Sequence, residues 1–302
     1  MNEQLDRLEY YKPSGTAPLA GAAAALAAGL AAGCVLAAVY AFVNHHDPLV
    51  YLNILLTCGF GIALGFIVSR CIKFFRIRSV SAACVIAGAV FAAAYYVHWF
   101  FYVGTVIVDF SGNFSSYDAL SVFEIALSLI ESPEDCFAIA RDLNESGVWS
   151  INNIDVRGLF LAAIWLAEAG VLCFFTLKAP RKQAMEPYSE REGKWMDARS
   201  LPVKAAFIAD EGEFKAALGR EDYSALVPIK ESETEGEGEA PPPSGYAEVT
   251  LHSDSCDAYI SVQNVTVKLK RKKKDLSKKC VVQYAKLSLT AAAAISQALG
   301  GA

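Results

Sequence analysis

Between Pro18 and Val43 there is not one charged residue. That excludes the surface helix of a soluble domain, and the run is longer than the roughly 20 apolar residues a helix needs to cross a bilayer. Other things are scarce as well. The eight cysteines show neither CxxC spacing nor a clustered framework, and Cys34, Cys58, Cys84 and Cys173 lie inside apolar runs, where cysteine behaves as a small hydrophobe. A zinc ribbon or a disulfide scaffold is therefore not expected. No Walker loop, GxSxG, HExxH or dinucleotide fingerprint occurs, so the residues show no catalytic set. A b-type haem needs axial ligands at membrane depth. Of the four histidines only His98 lies in an apolar run, since His45 and His46 belong to a turn and His252 to the tail, so no cofactor is expected.

What is present is segregated along the chain: an apolar first half and a charged last third, instead of the interleaving of one soluble domain. Apolar runs cover 18–43, 49–69, 80–108 and 158–177, four spans by length. Arg70, Lys73, Arg76 and Arg78 follow the second run, and Lys178, Arg181 and Lys182 follow the fourth. Basic residues next to spans stay on the cytoplasmic side, so both clusters place the 1–17 segment and the tail in the cytoplasm. The segment 109–156 contains nine acidic residues and a single base, Arg141, which suits the opposite side of the membrane. Its apolar residues recur at helical spacing over 118–129 and 135–143, separated by Ser132-Pro133, and predict a helical cap followed by an extended piece at Gly147–Ile151.

The spans carry small residues at intervals of four: Gly21, Ala25, Gly29 and Gly33 in the first, Gly61 and Gly65 in the second. Such stripes let helix backbones approach closely in lipid. Asn53 is expected to hydrogen-bond to another helix. Glu168 is the one acid deep inside a span, where an ionised carboxylate costs about 2.5 kcal/mol or more. It should face the bundle, be paired or be protonated, with His98 or Tyr95 as the expected partner. Counting residues from the outer ends puts Glu168 and His98 at one depth, whereas counting from the inner ends does not. A neutral Glu168 bonded across helices as glue is the alternative.

Beyond the spans, 181–230 reads as a helical segment with a helix at 211–218. Five Glu and three Pro make 231–245 a linker. From Tyr246 the residues alternate as in a β-meander, with a parity switch at Gln263-Asn264 that predicts a bulge, and Ala291–Leu299 closes the chain as a helix. Lys270, Arg271, Lys272, Lys273 and Lys274 form a basic hairpin tip. It can touch anionic lipid or a partner or remain a solvated turn; without interleaved aromatics it does not indicate nucleic acid.

Two stretches, Tyr11-Lys12-Pro13-Ser14-Gly15 and Gly147-Val148-Trp149-Ser150 leading into Leu161–Glu168, resemble a group of bacterial multi-pass inner-membrane proteins to which no activity is assigned. The resemblance covers about the first 180 residues, implies a bacterial plasma membrane and makes Glu168 part of a shared pattern. The expected fold class is a membrane all-α four-helix bundle with a small cytoplasmic α+β domain containing an antiparallel β-meander. The function expected is an interaction or assembly component in the lipid bilayer, with a cytoplasmic protein partner or a second copy of itself. An oligomeric transporter or channel using Glu168 is the alternative.

Overall fold

The computed structural model describes residues 8–45, 50–110, 118–147, 149–151, 154–229, 245–270 and 273–300. The chain divides into two units: Ser14–Met185, and a second built from Met1–Pro13 with Glu186–Ala302.

In the first unit α1 (Leu19–His45), α2 (Val50–Phe74), α3 (Val80–Phe110) and α6 (Leu159–Ala184) are long and apolar enough to cross a membrane. Helix α1 packs mainly on α3, and α2 on α6. The small residues explain the pairing. Ala25, Gly29, Gly33 and Ala37 are all buried, and a methyl added at Gly29 would lie 2.8 Å from Val90 Cγ2. One added at Gly65 would lie 2.6 Å from the Phe175 carbonyl oxygen and 3.1 Å from that of Thr176. Pro180, four residues on, has no N–H to offer Thr176, so Gly65 lets α2 close over a carbonyl that α6 leaves open.

About half of the basic stretch that follows the second apolar run is helical. Arg70 to Lys73 lie on α2, which runs to Phe74 because Arg, Lys and Ile propagate a helix once it has begun. Arg76 takes a left-handed φ of 54°, its N–H bonds Lys73 O at 3.3 Å, and the Ile77 N–H reaches back to Ile72 O at 3.0 Å. This is a Schellman cap, completed by apolar contact between its ends; Ile72 and Ile77 are both fully buried. Helix α6 likewise extends past the expected 177 to Ala184.

The segment after α3 forms α4 (Asp118–Glu131) and α5 (Pro133–Ser146), with Pro133 starting the second helix where a missing N–H costs nothing. Phe100 and Val103 of α3 pack with Ala126, Leu129 and Cys136 of the cap. The expected extended piece is one strand of a pair, β1 (Trp149–Ile151) and β2 (Ile154–Val156); the side chain of Trp149 lies outside the described residues.

The second unit is an α+β domain. Strands β7 (Gly245–Ser253), β8 (Ala258–Lys270) and β9 (Lys273–Leu287) form the antiparallel meander, and α8 (Leu289–Leu299) follows. The expected helix is α7 (Glu211–Gly219), capped by Asp210, whose carboxylate accepts from Gly212 N and Glu213 N. The 181–230 segment is not merely helical: β3 (Tyr188–Ser189) pairs with β4 (Lys194–Trp195), while β5 (Asp197–Ser200) and β6 (Ala205–Ala206) both pair with β7. These strands are too short to show alternation. The expected linker at 231–245 lies outside the described residues apart from Gly245, which begins β7.

The bulge is not in β8. The β7–β8 ladder is unbroken from Gly245–Thr266 to Ser253–Ala258. The irregularity falls in β9, where the partners of Ile260, Val262 and Gln263 are Ala285, Val282 and Cys280. Tyr284 sits there at φ 55°, its N–H bonded to Ser261 Oγ at 3.1 Å. The parity change in β8 has a different cause: Asn264 and Val265, on opposite faces of the strand, are both buried. Asn264 Oδ1 accepts from Ile208 N at 3.1 Å and its Nδ2 donates to Ile208 O at 2.7 Å, so the side chain stands in for a strand edge.

Candidate functional site

One group of polar side chains buried in the four-helix unit gathers around Tyr40. Its hydroxyl hydrogen-bonds the Glu168 carboxyl and lies 2.9 Å from Thr57 Oγ1. Thr57 in turn donates to Asn53 Oδ1 at 3.3 Å, and it also reaches the carboxyl. Helices α1, α2 and α6 thereby meet through one hydroxyl. Aromatic rings enclose it: Tyr40 stacks on Phe60 with centroids 4.6 Å apart, and the His98 ring is 4.7 Å from it on another side. Tyr95, Trp99 and Tyr102 surround His98 at 6.0–6.2 Å, and Trp99 meets Trp165 of α6 edge-on at 4.8 Å.

Of the residues expected here, Glu168, His98 and Tyr95 converge on one neighbourhood, with the register that counting from the outer ends required. Their roles differ from expectation. Glu168 bonds Tyr40, not His98. Tyr95 donates to the Trp165 carbonyl at 3.4 Å, and His98 Nδ1, fully enclosed, has no hydrogen-bond partner among the described residues. Tyr40 and Thr57 were missed. Each carried a signal: Thr57 lies one helical turn after Asn53, and Tyr40 continues the small-residue face beyond Ala37.

The glycines at 29, 33, 61 and 65 all sit at helix contacts. At the hairpin tip Lys270 pairs with Lys273, and Leu269 with Lys274. Arg271, Lys272 and all five tip side chains lie outside the described residues. Just behind the tip Lys278 and Lys279 are paired, with Glu248 at 2.6 Å and Glu211 at 2.8 Å.

The α+β unit has a cleft of about 310 Å³ lined in part by residues 9–12, which run beside β9. Tyr11, Tyr188 and Tyr259 give it aromatic walls; Arg191, Asp254 and Asp257 give it charge of both signs. Burial pushes the Asp254 carboxyl up, but hydrogen bonds from Ser189 and from the N–H groups of Asp257 and Cys256 outweigh it, and the group titrates below its ordinary range. Lys194 and Ser255 hold Glu192 at about 2. Among the described residues no cluster of His, Cys, Asp and Glu has the make-up to bind a metal.

No family model, no curated protein and no solved structure matches the chain.

Proposed function

We propose that this is an integral membrane protein whose four long apolar helices each cross the bilayer and whose α+β domain binds a protein partner in the cytoplasm. The observation that carries the reading is the antiparallel bridge between Tyr10 and Ala285, flanked by backbone hydrogen bonds from Tyr11 to Tyr284 and from Lys286 to Glu9. The residues before the first span and those after the last belong to one folded unit, so both lie on one side of the membrane, and an even number of crossings follows. Seven basic residues in and after the ends of α2 and α6 favour the cytoplasm for that side. The mixed aromatic and ionic cleft then faces the cytosol and suits a charged peptide segment. The experiment is affinity capture from mild detergent, comparing the full chain with Arg191→Asp and Asp257→Lys. A protein retained by the full chain and lost with both variants, while the sheet stays folded, supports the reading; equal capture by all three would overturn it.

A second reading, an oligomeric transporter or channel, is favoured by the carboxyl group held between α1, α2 and α6. Its test is solute or proton flux in reconstituted vesicles, which Glu168→Gln should abolish.

A further inference from the structure

The oxygens of Asn53, Thr57, Tyr40 and Glu168 form a row in which each touches the next. The protons available to that row can be counted. A hydroxyl carries one, whereas an amide oxygen and an ionised carboxylate carry none. If Glu168 were ionised, Tyr40 would donate to it and Thr57 to Asn53, and the two hydroxyl oxygens would face each other at 2.9 Å with no proton between them. Turning either hydroxyl only moves the gap to one end of the row. The approach of Thr57 to the carboxyl adds an acceptor and no proton. With the Asn53 oxygen turned toward Thr57, as it is here, a carboxylic acid closes the gap: Glu168 donates to Tyr40, Tyr40 to Thr57, and Thr57 to Asn53.

The surroundings point the same way. Tyr40 comes from α1, Asn53 and Thr57 from α2, Tyr95, His98 and Tyr102 from α3, and Trp165 from α6 itself. Among the described residues none of these forms an ion pair with Glu168, and His98, the one basic group, meets the Tyr40 ring instead. The row also has a direction. Asn53 is half-exposed and about 5 Å from the start of α2, Thr57 is buried one turn further in, and Glu168 lies about 13 Å into α6.

We infer that Glu168 is a proton-binding site that holds its proton at neutral pH and exchanges it, through Tyr40 and Thr57, with water at the membrane face where Asn53 lies. The inference rests on the reading that the four helices cross the membrane, and is independent of any cytoplasmic partner. In release, the Glu168 O–H bond breaks as Tyr40 takes that proton. Tyr40 passes its own to Thr57, and Thr57 gives its own to a water beside Asn53. Each hydroxyl ends with one proton, and the carboxylate remains. The Asn53 amide then turns its NH₂ toward Thr57, and the row is complete again with its polarity reversed.

The experiment is infrared spectroscopy of the full chain in zwitterionic lipid vesicles at neutral pH. A carbonyl band of a protonated carboxylic acid should be present, should vanish in Glu168→Gln and should shift in Tyr40→Phe, which removes its acceptor. Should Glu168→Gln not fold, the Tyr40→Phe shift in protein carrying isotope-labelled glutamate makes the same assignment. A Glu168 signal found among the ionised carboxylates would overturn the site. For the path, deuterium supplied on the Asn53 side should enter that band about tenfold more slowly in Thr57→Val, as loss of one hydrogen bond requires. An unchanged rate would overturn it. Release of the chain from membranes by alkaline carbonate would instead sink the spanning reading, so the two failures are distinguishable.

Discussion

Tyr10 pairs with Ala285 in an isolated antiparallel bridge, so residues that precede the first apolar helix are hydrogen-bonded to β9, the edge strand of the C-terminal sheet. The Tyr11 N–H donates to Tyr284 O and the Lys286 N–H to Glu9 O, both at 2.8 Å. The Tyr11 ring meets Tyr259 edge-on at 5.4 Å. Replacing Tyr11 by Ala removes an aromatic anchor and should destabilise the α+β unit by about 1–3 kcal/mol. Urea unfolding followed by Trp195 fluorescence measures this, and a shift confined to that unit is expected.

Asn264 offers a second point of control. Its amide satisfies both backbone groups of Ile208 in a buried position, so Asn264→Leu leaves a buried N–H and C=O unpaired. The expected loss is about 2–5 kcal/mol. Asn264→Asp keeps one acceptor but loses the donor, and should fall between the two.

The glycines of the helical unit are not equivalent. Gly65→Ala would drive a methyl into the Phe175 carbonyl, a backbone atom that cannot turn aside, and should cost about 1–3 kcal/mol as α2 and α6 separate. Gly59→Ala and Gly88→Ala, with nothing within 4 Å of the added methyl, should be neutral or slightly stabilising. Thermal melting in detergent distinguishes the sites.

Tyr40→Phe keeps the ring stack on Phe60 and removes the hydroxyl on which three helices converge. The bundle should lose about 1–3 kcal/mol, since Thr57 and Glu168 each lose a partner. Tyr95→Phe, which gives up a single 3.4 Å bond, should cost less.

His252 sets a pH dependence outside the spans. Burial against the sheet, with the Tyr284 ring edge-on at 5.1 Å, lowers it from 6.5 to about 4. The folded domain therefore binds fewer protons than the unfolded chain between those values. Its stability is fully present above pH 6.5 and is lost as pH falls toward 4, by about 1–3 kcal/mol. His252→Phe should flatten the pH profile of the urea midpoint across that window.

Elements whose physics is local can be read along the chain. Four apolar runs, three of them without a charge, make long helices whatever surrounds them, Ser132-Pro133 divides the cap into two helices, and alternation from Tyr246 makes strands. Glu168 stood out because a carboxyl in an apolar run is costly in any fold. Which groups meet depends on how distant segments pack. The bridge at Tyr10, the short strands β5 and β6, and the bulge placed in β9 depend on partners far away in the chain, and residues 8–12 have no alternation to betray them. Tyr40 became the partner of Glu168 because Gly29 and Gly33 bring α1 against α3 while Gly61 and Gly65 bring α6 against α2. That geometry comes from packing between helices, which no single segment encodes.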